Sequence, residues 1–130
     1  MNKIKRFEDL DIWKKATTIA IDIYSISEIG KLKNDFGMKD QIRRCATSIS
    51  NNIAEGFEYD NNKDFVRFLK YAKGSSGELR NQLYILNKLE FISKEFFENK
   101  LKELIELSKQ IAGFIKYLKN YENGKATNNL

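Results

Sequence analysis

A chain of 130 residues has the length of one domain and can bury a real core. Its composition, 42% apolar and 32% charged, excludes a disordered polymer, and apolar runs of only a few residues exclude a membrane-spanning helix. Against 18 acidic residues stand 23 basic ones, a net charge of +5 that is spread along the chain rather than gathered in a tail. Such a surplus fits either a lysine-rich solvated surface or contact with RNA or DNA.

The sequence contains no proline, the commonest helix breaker, so long helices are permitted throughout. The stretch MNKIKRFEDL has no apolar run of the kind a secretory signal carries. The lone Cys45 lies on an apolar stripe and can form no internal disulfide. Together these features lead us to expect a reducing, cytoplasmic location.

The spacing predicts a first helix over about residues 9–29, with Asp9 as N-cap and Asp11 in the first turn. Ile12, Ala16, Ile19, Ile23 and Ile26 recur at steps of four and three, and Trp13, Ala20 and Tyr24 run beside them. A face that wide suits a helix with partners on two sides, either within its own bundle or in another copy. Residues 30–36 read as a linker, with Gly30 closing the helix before it.

A second helix is expected over about residues 37–55, stopped by Gly56. Its seam is Met38, Ile42, Cys45, Ile49 and Ile53. Alongside lies a polar stripe at the same period: Gln41, Arg44, Ser48, Asn52 and Glu55. Such a stripe is either an internal hydrogen-bonded network, with Arg44 reaching Glu78 on the next helix, or a surface for an anion or an RNA backbone using Arg43 and Arg44.

Asn61 can cap a third helix over about residues 62–90, with Asp64 three residues on. Its seam reads Phe65, Phe68 or Leu69, Ala72, Ser75 or Ser76, Leu79, Leu83, Leu86 and Glu90. Glycine inside a helix costs about 1 kcal/mol relative to alanine. The run Gly74-Ser75-Ser76-Gly77 therefore implies a close helix crossing at Gly74, Ser75 and Gly77, or a kink. Lys63, Arg67, Lys70 and Lys73 form a basic strip with Tyr71, read as a solvated face or as a salt-sensitive nucleic-acid surface.

Ser93 should cap a fourth helix over about residues 94–121. Phe97, Leu101, Leu104, Ser108, Ile111, Ile115 and Leu118 make the cleanest seam in the chain. The polar residues 123–130 should fray. No segment alternates as a strand would. Four helices with short connections over residues 1–122 predict an all-α, antiparallel up-down-up-down four-helix bundle.

Chemistry is hard to find. Histidine is absent, which removes the commonest general base and metal ligand. Glu95, Glu98, Glu103 and Glu106 fall off the seam, and no phosphate-binding GxxxxGK[ST] occurs. We therefore expect no enzyme, no metal and no cofactor.

Three stretches carry a resemblance: FEDLDIWKKA at 7–16, QIRRCATSISNNIAEGF at 41–57 and DFVRFLKYAKGSSGEL at 64–79. They resemble the four-helix bundle proteins linked to bacterial 23S rRNA intervening sequences, also labelled the S23 ribosomal protein family. Across residues 7–92 the match is one of motif; the fourth helix matches in pattern only. That family usually has proline where this chain has Ser50. The resemblance implies a bundle that assembles as a ring, commonly a homopentamer, with no established catalysis. A related branch is the accessory variability determinant of diversity-generating retroelements. The family assigns no agreed role to the residues on the shared motif. The expected function is a non-enzymatic, cytoplasmic oligomer that binds RNA or a nucleoprotein partner. The other reading is a scaffold, or a reverse-transcriptase accessory subunit, whose basic charge is incidental.

Overall fold

Four apolar seams at helical spacing can be buried together only by packing four helices around one core. That is the arrangement in the computed structural model, which describes residues 4–122; the tail expected to fray, 123–130, lies outside the described residues. A 3-10 turn at Phe7–Asp9 precedes α1 (Asp11–Ile26), α2 (Gly30–Asn34), α3 (Phe36–Glu58), α4 (Asn62–Lys88) and α5 (Lys94–Glu122). No strand occurs among the described residues.

Side-chain partners fix the directions. Cys45 meets Ser75 while Gly56 meets Phe68, so α3 and α4 run antiparallel. Tyr84 packs on Phe97 and Phe65 on Phe114, so α4 and α5 do as well. Asp22 faces Lys100 and Lys15 meets Glu106, so α1 and α5 run antiparallel, while Arg43 of α3 bonds Ser27 at the end of α1. The α3–α4 and α4–α5 contacts are the most extensive, α1 rests chiefly on α3, and its contact with α5 is thin. Ile23, Ile49, Ile53, Leu69, Leu83, Leu104 and Ile111 are fully buried in the shared core.

The helix ends depart from the sequence reading in instructive ways. Asn61 and Ser93 cap as expected: Asp64 N–H donates to Asn61 Oδ1 at 2.8 Å and Phe96 N–H to Ser93 Oγ at 3.1 Å. Asp9 does not cap α1. It closes the 3-10 turn instead, and Leu10 stands at the N-cap with no side-chain bond. The linker holds a five-residue helix, α2, begun by Gly30 at φ +59° and anchored by fully buried Leu32. The first long helix therefore stops at Ile26, three residues before the expected end.

Left-handed stops fall on residues other than glycine. α3 passes through Gly56 to Glu58, and Asp60 at φ 60° turns the chain. After α4, Glu90 also sits at φ 60°, with Glu90 N–H bonding Asn87 O at 3.1 Å and Phe91 N–H bonding Leu86 O at 2.9 Å. This is the paired stop that glycine normally makes. Left-handed backbone costs a side-chain-bearing residue roughly 1–2 kcal/mol. Glu90 is exposed and takes part in none of the ion pairs among the described residues. Glu90→Gly should therefore raise stability by about 1 kcal/mol in urea unfolding, once the entropy of the more flexible unfolded chain is subtracted.

Two polar ties hold α1. Fully buried Ser27 donates its hydroxyl to Tyr24 O at 2.8 Å and accepts from Arg43 Nε at 2.7 Å. Arg43 also pairs with Glu28 and lies 4.4 Å over the Tyr24 ring, while Lys39 reaches Glu28 at 2.8 Å. Hydrogen bonds from Lys39 and then Arg43 hold the Glu28 carboxyl below its usual pKa. At the other tie, Lys100 is buried between Asp22 of α1 and Glu103, which it meets at 2.7 Å. Burial pulls the Lys100 pKa down, but hydrogen bonds to Asp22 and Glu103 outweigh it and leave the ammonium above its ordinary value.

Candidate functional site

Only the middle of the α3 polar stripe becomes a network. The Ser48 and Ser75 hydroxyls share a 2.9 Å hydrogen bond across the α3–α4 contact. Asn52 Nδ2 donates to Ser48 O at 2.8 Å and to Ser48 Oγ at 3.1 Å. Gln41, Arg44 and Glu55 are exposed. The expected Arg44–Glu78 pair is not made: Arg44 Nε donates to Asp40 Oδ2 at 2.8 Å, one turn back on its own helix. A partner at that spacing needs no interhelical reach, and such an exposed pair contributes about 0.3–0.5 kcal/mol. Arg43, committed to Ser27 and Glu28, is equally a structural residue.

Cys45 packs beneath this stripe, donating its thiol to Ser75 O at 3.3 Å. Burial, and after it the Glu78 carboxylate, pushes the thiol pKa from 9.0 up to about 12. An unfolded chain releases this proton more readily than the native one. The thiol's contribution to stability is therefore whole below pH 9 and disappears as the pH rises to about 12. Native Cys45 should resist a thiol-labelling reagent at pH 8, reacting at the rate of global unfolding, and Cys45→Ala should flatten the alkaline fall in urea-unfolding stability.

The glycines of α4 do not make the crossing expected of them. Gly74 and Gly77 are exposed, and a Cβ at either would meet nothing within 4 Å. Nor do they interrupt the helix, which is continuous from Asn62 to Lys88. They lie on the solvent face of α4, Gly74 two positions from buried Ala72 and Ser76, and Gly77 one from Ser76 and two from buried Leu79. Ser75 alone of that run binds α3.

The basic strip does form an outer surface. Lys63, Arg67, Lys70 and Lys73 are all exposed. Arg67 pairs with Asp64 at 3.0 Å and lies 4.6 Å over the Phe68 ring. Asn61, and after it Arg67, holds the Asp64 carboxyl below its usual pKa, while Asp64 and then Tyr71 raise that of Arg67. Lys63, Lys70 and Lys73 make no ion pair with another described residue. Tyr59, on the α3–α4 connection, joins this surface although its sequence position in a turn gave no periodic signal. It stacks on Phe68 at 5.1 Å with planes 17° apart.

Among the described residues, no group of three or more His, Cys, Asp or Glu is placed to hold a metal. No described helix is long and apolar enough to cross a membrane. An open groove of about 290 Å³ between α1 and α5, bordered by Lys14, Thr18, Ile19 and Glu103, is bridged by Lys15 and Glu106 at 3.0 Å.

A four-helix antiparallel bundle with a basic, aromatic-flanked outer helix defines a helical module. Residues 8–113 match the 23S rRNA-intervening sequence protein, and the chain belongs to that family. The match runs past the motif-bearing helices into α5, further than residues 7–92 alone. The fold is also similar to the crystal structure of a protein of unknown function from the S23 ribosomal protein family of Bacteroides thetaiotaomicron. Identity is 27% and the TM-score 0.74, over 81% of this chain and 95% of the other. No curated protein matches the chain.

Proposed function

We propose that the protein is a non-enzymatic helical module that assembles with copies of itself and binds RNA or a nucleoprotein partner. The observation that carries the RNA reading is the outer face of α4. Lys63, Lys70 and Lys73 stand exposed there without carboxylate partners among the described residues, beside exposed Tyr71. Cations left unpaired on one helix can release counterions from a phosphate backbone. Titrating structured RNA at several salt concentrations tests this. Three or four phosphate contacts give a log–log slope of roughly −3. A slope near zero, or no binding at low salt, overturns it.

A second reading, an assembly scaffold with no nucleic-acid role, is favoured by the open notch at Gly74 and Gly77. Helices of separate copies approach most closely where side chains are small or absent. The homopentamer implied by the family resemblance is checked by light scattering. A monodisperse monomer at micromolar concentration removes both assembly and this explanation of the glycines.

A further inference from the structure

We infer that the α3–α4 corner is built to take unpaired nucleotides, stacking bases on Tyr59 and Tyr71 while the backbone follows the lysines of α4. This rests on the RNA reading above and specifies the form of RNA. Phe68, only 7% exposed, is the foundation of the site. Tyr59 lies nearly parallel to it at 5.1 Å, and Tyr71 stands edge-on at 5.6 Å. Both tyrosines remain 49–50% exposed, so each is held from within while half its surface is in water. A tyrosine already fixed in this way has little freedom left to lose when a base settles on it.

The surrounding charges decide the path of the strand. Lys63 and Lys70 lie on the same side of α4, two turns and about 10 Å apart. Glu55, Glu58 and Asp60 are exposed on α3 and the turn, and they repel a phosphate backbone from that side. Asp64, the remaining acid of this stretch, is occupied by Asn61 and Arg67. Arg67 is thereby spent on orienting the aromatic cluster, and the exposed lysines are left for phosphates. In a duplex the base faces are stacked on each other and out of reach, so this combination selects single strands, loops or bulges.

The experiment compares fluorescence anisotropy of labelled oligouridine with that of an RNA duplex of equal length, at low salt. Oligouridine should bind more tightly. Y59A/Y71A should weaken it about tenfold or more and leave duplex binding unchanged, and Y59F/Y71F should restore it. K63E/K70E should weaken both ligands. If the double alanine variant does not fold by circular dichroism, Y71Q alone should still show a several-fold loss for oligouridine. Equal affinity for the two RNAs, or tyrosine variants that bind oligouridine normally, overturns the stacking site but leaves RNA binding standing. Failure to bind either RNA at low salt ends both.

Discussion

Replacing Gly56 with alanine should lower folding stability by about 2 kcal/mol, the net of an overpacking cost near the upper end of its usual range, about 3 kcal/mol, and a gain in helix propensity. The added Cβ would lie 2.6 Å from Phe68 Cβ and 3.1 Å from Phe65 Cδ1. Neither neighbour can swing aside easily: one atom is fixed directly to the α4 backbone, and the other belongs to a buried ring packed between Phe57 and Phe114. Alanine is the better helix former by about 1 kcal/mol, so the measured loss is overpacking less that gain. The two helices must separate at their most extensive contact, and the Tyr59–Phe68–Tyr71 cluster moves with them. Urea unfolding checks the value. A variant as stable as the parent would show that α3 and α4 are not held this close.

Leu104→Ala costs rather more by the opposite route. Leu104 is fully buried in the first half of α5. Truncation removes apolar contact and leaves a cavity, together about 3 kcal/mol within the usual 2–5. Ile21→Ala, at a residue 60% exposed on α1, should change stability by less than about 0.5 kcal/mol. The contrast, read from denaturant midpoints at constant slope, tests whether α5 melts with the rest of the core.

The architecture was legible because seams are periodic and each was long. Ile12 to Ile23, Ile42 to Ile53 and Phe65 to Leu86 point inward as their spacing requires, whereas on α5 the seam read through Ser108, which is half-buried, passes over its neighbour Leu107, which is fully buried. The five-residue α2 was not legible: its single anchor, Leu32, gives no period to detect. Gly56 was read as a stop because glycine after a seam usually ends a helix. Its actual reason, the nearness of Phe68, lies on a helix that sequence alone cannot place. Gly74 and Gly77 were read as a close crossing, but a glycine pair does not say which side of the helix it occupies, and both face solvent. Lys100 was missed because charge argues for a surface. Its place between Phe97 and Leu104, three residues before Glu103, was the available signal. The cations of α4 were legible as a strip, but Tyr59 was not, because a residue in a turn belongs to no periodic pattern.

The thin contact between α1 and α5 has a kinetic meaning. The hairpins α3–α4 and α4–α5 join segments close in sequence and share the broadest packing, so little chain entropy opposes their formation. α1 adds mainly through α3 and closes on α5 over an open groove bridged by Lys15 and Glu106, with Lys100 and Asp22 beyond. It should therefore dock last and leave first. In native-state hydrogen exchange, the α1 amides would open at lower free energy than those of α3 and α4, as a unit of their own. The bundle then behaves as a three-helix body with a detachable fourth wall, and the α3–α4 corner lies on the part that stays folded longest.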